Sequence, residues 1–314
     1  MLSKIPMIID ADTGIDDALA ILYALKSPEI DLIGITTVFG NTSVEQATDN
    51  TLRLLKLAGA DVPVAMGAAK PLARPWPGTV AEVHGENGIG DAQLAPSDQQ
   101  PLGESAAEFL VRKANELAGE LVIVPVGRMT NLAEALRLDP ELPRKVKQVV
   151  IMGGNVYAPG NITPTSEANF FGDPESADLV MQSGLPIIMV GLDVTMKTIF
   201  NQGHLDVLNR SAQPENRELV QFLNEALPFY FTFYQKVNNF VAGCAMHDPL
   251  AVMVAVNPTL VRTQTMRVQI ECESTRVPGM VIADLRAKPS AGTAVQVCVE
   301  VNAEAALNQL LAVF

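Results

Sequence analysis

The chain has 314 residues, a formal net charge of −13 and a hydrophobic fraction of 48% with only 5% aromatics. Its acidity argues against a nucleic-acid polymer as partner, because no basic surface is available to release counterions. The apolar content argues against disorder, and no apolar run reaches the ~20 residues of a membrane span.

Short β-branched runs alternate with helical patterns from the start: "PMIID", "DDALAILYALKS", "DLIGITTVFG", "VEQATDNTLRLLKLAG", "VPVAMG", "ESAAEFLVRKANELAG", "LVIVPVG" and "MTNLAEALRL". The pattern continues through "VKQVVIMGG", a helix from about Asp173 to Ser183, and "PIIMVGLDVT". This alternation predicts an α/β protein with a doubly wound, mostly parallel central sheet flanked by helices. After Thr195 helices dominate, including the aromatic stretch "PFYFTFYQKVNNFV" and "MHDPLAVMVAV". Three strand-like segments, "TMRVQIECE", "GMVIADLR" and "AVQVCVEV", precede a terminal helix. No charge run, repeat or Ser-rich linker divides the chain, so residues 1–314 read as one domain.

Two polar connections, residues 70–101 and 155–172, are long for a compact domain and carry His, Asn or Glu among glycines. They are expected to wall the crevice that doubly wound sheets form beyond the carboxyl ends of their strands. The N-terminal "MLSKIPMIID" lacks a signal-peptide core. Cys244, Cys272 and Cys298 are odd in number and lack metal-ligand spacing, so they read as reduced, mostly buried thiols of a cytoplasmic protein.

The chemistry concentrates in "IIDADTGIDDALA", residues 8–20, where Asp10, Asp12, Asp16 and Asp17 gather at the end of the first strand. Like charges this close repel and raise one another's pKa unless a cation or hydrogen bonds compensate them. Hard carboxylate oxygens with no Cys/His cluster nearby favour Mg²⁺ or Ca²⁺. The plainer alternative, acidic residues complementing a helix N-terminus, accounts for Asp16 or Asp17 but not for all four.

The D-x-D-x-x-x-D-D spacing resembles the opening signature of the inosine-uridine nucleoside hydrolase family, usually DTDPGIDD. The resemblance recurs in order along nearly the whole chain: "ITTVFGN", "HGENG", "VPVGRMTNLA", "VVIMGG", "GN" at Asn161, "EANFFGDPESA" and "MHDP". It implies the Rossmann-like nucleoside hydrolase fold with additional C-terminal helices and strands, and Ca²⁺-dependent hydrolysis of ribonucleosides to base and ribose with inversion. By position, it makes Asp12 a calcium ligand and the base that activates water, and Asp17, Asp248 and the main-chain carbonyl of Val126 further ligands. Asp16, Asn161, Glu167 and Asn169 match the sugar-binding residues, with Asn41 near the same site. His84 and His247 match residues around the departing base, with His247, near its normal pKa, as general acid. A cytoplasmic homodimer or homotetramer acting on a small ribonucleoside is implied.

The sequence departs from the family's habits at "DADTG", at Arg128 in "GRMTN" and at Ala168 in "EANFF", changes that spare the polar groups. His204 lies outside every motif and reads as a surface residue. Two rival functions are a phosphatase of the haloacid dehalogenase type, since Asp10 and Asp12 match the two aspartates of its D-x-D-x-T pattern, and a nucleoside- or ribose-binding protein without turnover.

Overall fold

Nine strands form one sheet in the computed structural model, which describes residues 3–238 and 243–314. The strands are β1 (Ile5–Ala11), β2 (Ile30–Thr37), β3 (Val64–Met66), β4 (Val122–Pro125), β5 (Gln148–Met152) and β6 (Ile187–Val190), a separate pair β7 (Ile199–Asn201) and β8 (Gly243–Ala245), and β9 (Val261–Ile270), β10 (Val281–Asp284) and β11 (Thr293–Val301). Across the sheet the order is β10-β9-β11-β6-β5-β4-β1-β2-β3. The first six strands are all parallel and run in the doubly wound order 3-2-1-4-5-6.

The strands β1, β4, β5 and β6 read as almost continuous apolar runs because helices cover both faces of the sheet. Two buried apolar clusters result, one packed under the helix Ile15–Lys26 and the helix His247–Val256, the other under the helices Ala106–Glu116, Thr130–Leu138 and Pro174–Gln182. The predicted helix near residues 173–183 is therefore Pro174–Gln182, started by Pro174 and by Asp173, whose side chain accepts the Ser176 amide.

The three C-terminal strand-like segments extend this same sheet: β11 adds to β6 in parallel, and β9 and β10 continue antiparallel. The aromatic stretch lies in the helix Arg217–Asn238, with residues 239–241 outside the described residues, as are residues 1–2 of the N-terminal segment. No helix among the described residues is long and apolar enough to cross a membrane. Cys244 and Cys298 are buried and Cys272 partly so, all three as free thiols.

The reversal in strand order falls between β1 and β4, where successive connections leave toward opposite sides and open a crevice at the strand ends. Asp10 and Asp12 leave β1 there, and Val126 and Arg128 leave β4.

Candidate active site and metal centre

The turn after β1 depends on Gly14, where a Cβ would come within 2.6 Å of His84 Nδ1 and 2.8 Å of Asn41 Nδ2. That absence lets the loops carrying Asn41 and His84 close on the helix Ile15–Lys26. Asp17, in the first turn of this helix, accepts the Asp12 and Gly14 amides at 3.1 and 2.8 Å, so it does cap the helix as well as join the cluster. Asp10 points away: its Oδ1 accepts Thr36 Oγ1 at 2.6 Å and Asn131 Nδ2 at 2.8 Å, and it does not line the cavity. A phosphatase reading would need an open carboxylate at that position.

Asp16, Asp17 and Asp248, the last from the start of the helix His247–Val256, converge so that one oxygen from each lies within 4.8 Å of the others. All three are buried, and desolvation pushes their carboxyls up, to about 7 for Asp16, with mutual repulsion adding to the effect on Asp17 and Asp248. The donor set fits a hard divalent cation: it is made of oxygens, and Asp12 Oδ1 and Asp16 Oδ1 are buried without a hydrogen-bond partner among the described residues.

Asp12 stands beside this triad in a different environment. Its Oδ2 accepts the Asn41 amide at 2.6 Å and is ion-paired with Arg128, which is itself buried. Arg128 entered the sequence reading only as a departure from a motif; its pairing with Asp12 is a product of the fold. Val126 is buried at the same strand edge, and its carbonyl accepts Asn169 Nδ2 at 2.7 Å.

The residues expected at the sugar share one wall, formed by the second long connection. Glu167 caps the short helix Ala168–Gly172: Oε1 accepts the Asn169 amide at 2.8 Å and Oε2 accepts those of Gly154 and Phe170 at 2.9 and 3.1 Å. Asn161 accepts the Ala168 amide at 3.0 Å. Asn161, Glu167 and Asn169 line the same cavity as Asp16, Asn41 and Asp248, whereas Asp12 and Asp17 are not among its lining residues.

The opposite wall holds His84 and His247 together with two phenols that sequence reasoning left unassigned. Tyr230 donates to Asp16 Oδ2 at 3.1 Å, Tyr234 hydrogen-bonds His247 Nε2 at 2.5 Å, and Thr195 Oγ1 meets His247 Nδ1 at 2.8 Å. The two tyrosine rings meet edge-on, with centroids 5.0 Å apart. Their four-residue spacing on the helix Arg217–Asn238 was the available signal, since it puts both on one face.

The expectation that His247 keeps an ordinary pKa is not met. Burial pushes its imidazole down to about 4, and burial with the nearby charge of Arg128 pushes His84 down to about 3. His204, expected at the surface, is half-buried at the start of the helix Gln202–Ser211, where its Nδ1 accepts the Asn201 amide at 3.0 Å.

The cavity measures about 660 Å³, enough for a drug-sized molecule, and both long connections contribute to its walls, the first through Trp76 and His84. The description of inosine-uridine preferring nucleoside hydrolases matches residues 7–308. A probable uridine nucleosidase 2 of Arabidopsis thaliana is 42% identical over 256 residues, covering 81% of this chain and 78% of the relative. Among solved structures, a plant nucleoside hydrolase, the PpNRh1 enzyme, superposes with a TM-score of 0.93 at 34% identity over 99% of both chains. A purine-preferring ribonucleoside hydrolase from Gardnerella vaginalis gives 0.91 at 37% identity over 98% of this chain and 97% of its own.

Proposed function

The chain belongs to the inosine-uridine preferring nucleoside hydrolase family, and from that premise we propose that it hydrolyses the N-glycosidic bond of ribonucleosides to free base and ribose, with Ca²⁺ held by Asp12, Asp17, Asp248 and the Val126 carbonyl. The observation that carries this reading is the meeting, in one cavity, of a buried carboxylate cluster, an amide-rich wall and a phenol-imidazole wall. When bound, the ion would lower the pKa of water and hold sugar hydroxyls.

Cleavage develops positive charge on the ribose and negative charge on the base. Asp12 Oδ1, without a hydrogen-bond partner among the described residues, accepts the proton of the attacking water, which approaches C1′ from the face opposite the base. Asp16, Asn161, Glu167 and Asn169 orient the ribose, and Asn41 braces Asp12 and Asp17. The electron pair of the breaking C1′–N bond goes to the base, which is protonated from the His247 side. Because burial keeps His247 neutral, the proton comes from the Tyr234–His247 pair rather than from a lone imidazolium, and the phenolate left behind is reprotonated from solvent as the products leave. His84 forms part of the surround of the base, and Gly14 and Ile15 hold it there.

Relatives named for uridine and for purines leave both base classes as candidates. The test is release of reducing sugar from uridine, cytidine, inosine, adenosine and guanosine by the calcium-loaded protein. At least one should be cleaved, with the activity lost in chelator and restored by calcium. Tight ribonucleoside binding without ribose release from any of them would overturn the hydrolase reading in favour of a binding protein.

A further inference from the structure

We propose that Arg128 is an internal counter-cation of the acidic centre, which braces the proposed ligands when no metal is bound and competes with the metal for Asp12, weakening calcium binding. The proposal rests on the calcium site of the preceding reading.

A single guanidinium nitrogen, Nη1, faces three acceptors: Asp12 Oδ2, Asn169 Oδ1 at 3.3 Å and Asn41 Oδ1 at 3.4 Å. Each amide passes the contact onward. Asn41 Nδ2 donates to Asp17 Oδ2 at 3.1 Å, and Asn169 Nδ2 donates to the Val126 carbonyl at 2.7 Å. Arg128 thereby fixes which end of each amide faces the ligands, and it reaches three of the four proposed ligands directly or through one asparagine.

Two glycines make room for this side chain. A Cβ on Gly40 would come within 2.4 Å of Arg128 Nη1, and one on Gly172 within 2.7 Å of its Nε. The guanidinium lies in a slot between two glycine backbones, at 7% exposure. It lines the cavity while Asp12, bonded behind it, does not.

A buried guanidinium stripped of its carboxylate is strongly disfavoured, so the pair persists while nothing better is offered to Asp12. A dication beside the same carboxylates is repelled by the resident charge at low local dielectric, and Asp12 Oδ2 cannot fully serve both. Metal binding therefore has to loosen the Asp12–Arg128 pair, and part of the affinity of the site is lost in doing so.

The test uses the calcium-loaded protein in competition with a calcium-chelating dye, and thermal melts with excess chelator. Arg128→Met removes the charge at similar volume, Arg128→Gln also keeps hydrogen-bonding capacity, and Arg128→Lys keeps the charge. The two uncharged variants should bind calcium at least tenfold more tightly than wild type while melting at lower temperature without it. Arg128→Lys should stay within threefold of wild-type affinity. Loss of an arginine that merely packed the site would lower affinity and stability together. Equal or weaker calcium binding by both uncharged variants, with wild type binding normally, overturns the proposal alone. Failure of every form, wild type included, to take calcium from the dye overturns the metal reading and this proposal with it. Because the competition starts from loaded protein, a variant that unfolds only without calcium still reports its affinity.

Discussion

The acidic floor and the aromatic wall of the cavity are equally buried, yet burial leaves them with opposite needs. On the floor, desolvation pushes the carboxyls of Asp16, Asp17 and Asp248 up, so their ionised forms persist only with a positive partner. On the wall, desolvation pushes His84 and His247 down and the Tyr230 and Tyr234 phenols up, so every group rests in its neutral state. The floor therefore needs positive charge, of which Arg128 supplies one unit beside Asp12, whereas the wall is satisfied by its own hydrogen bonds. The Asp16–Tyr230 bond joins the two regions.

The sharpest way to break the floor is Asp12→Asn. It removes the proposed base and leaves the buried Arg128 guanidinium without its carboxylate. Turnover should fall by about 10³-fold, within the range for loss of a general base. Steady-state assays on uridine and inosine measure this, with bound calcium determined in the same preparation. Near-wild-type kcat would remove Asp12 from the chemistry.

The wall should break more selectively. Tyr234→Phe and His247→Ala each interrupt the phenol-imidazole pair, and each should lower kcat on natural nucleosides by about 10²-fold. p-Nitrophenyl riboside, whose phenolate leaves without protonation, should be largely spared. Equal losses on both substrates would mean that the substitution had reached across to the floor, through Asp16 or through Asp248 next in sequence to His247.

The sequence exposed the floor more fully than the wall, for a physical reason. Four aspartates around Gly14 after an apolar strand are costly in any fold without compensation, so their meaning survives without coordinates. The βα alternation likewise revealed the parallel sheet, since short β-branched apolar runs between segments of helical period are a local signal. Tyr230 and Tyr234 gave no such signal, because aromatic residues four apart on a helix look like core, and here they are both buried and part of the site. The Asp12–Arg128 pair spans 116 residues, and the insertion of β11 beside β6 is equally non-local. β7 and β8, three residues each, are too short for periodicity to detect.

A gentler perturbation tests whether the wall is held neutral as strongly as its burial implies. Burial, and after it the nearby charge of Arg128, pushes His84 down to about 3 from the 6.5 of an imidazole in water. Between these values the unfolded chain binds a proton that the folded chain refuses. The stability contributed by neutral His84 is therefore fully present above pH 6.5 and is lost as pH falls toward 3. Each pH unit in that window is worth about 1.4 kcal/mol per histidine, so acidification from 6.5 to 5 should cost about 2 kcal/mol through His84. Urea unfolding at pH 7.5, 6.5 and 5, with saturating calcium so that the carboxylates of the floor stay ionised, reads that slope. His84→Gln removes the titration while keeping an acceptor for the Ile15 amide, which His84 Nδ1 meets at 3.1 Å. The variant should lose less stability than wild type between pH 6.5 and 5, the remaining slope belonging to His247 and the exposed groups. If both proteins lose stability equally, His84 titrates as it would in water, and the contrast between the two regions does not extend to it.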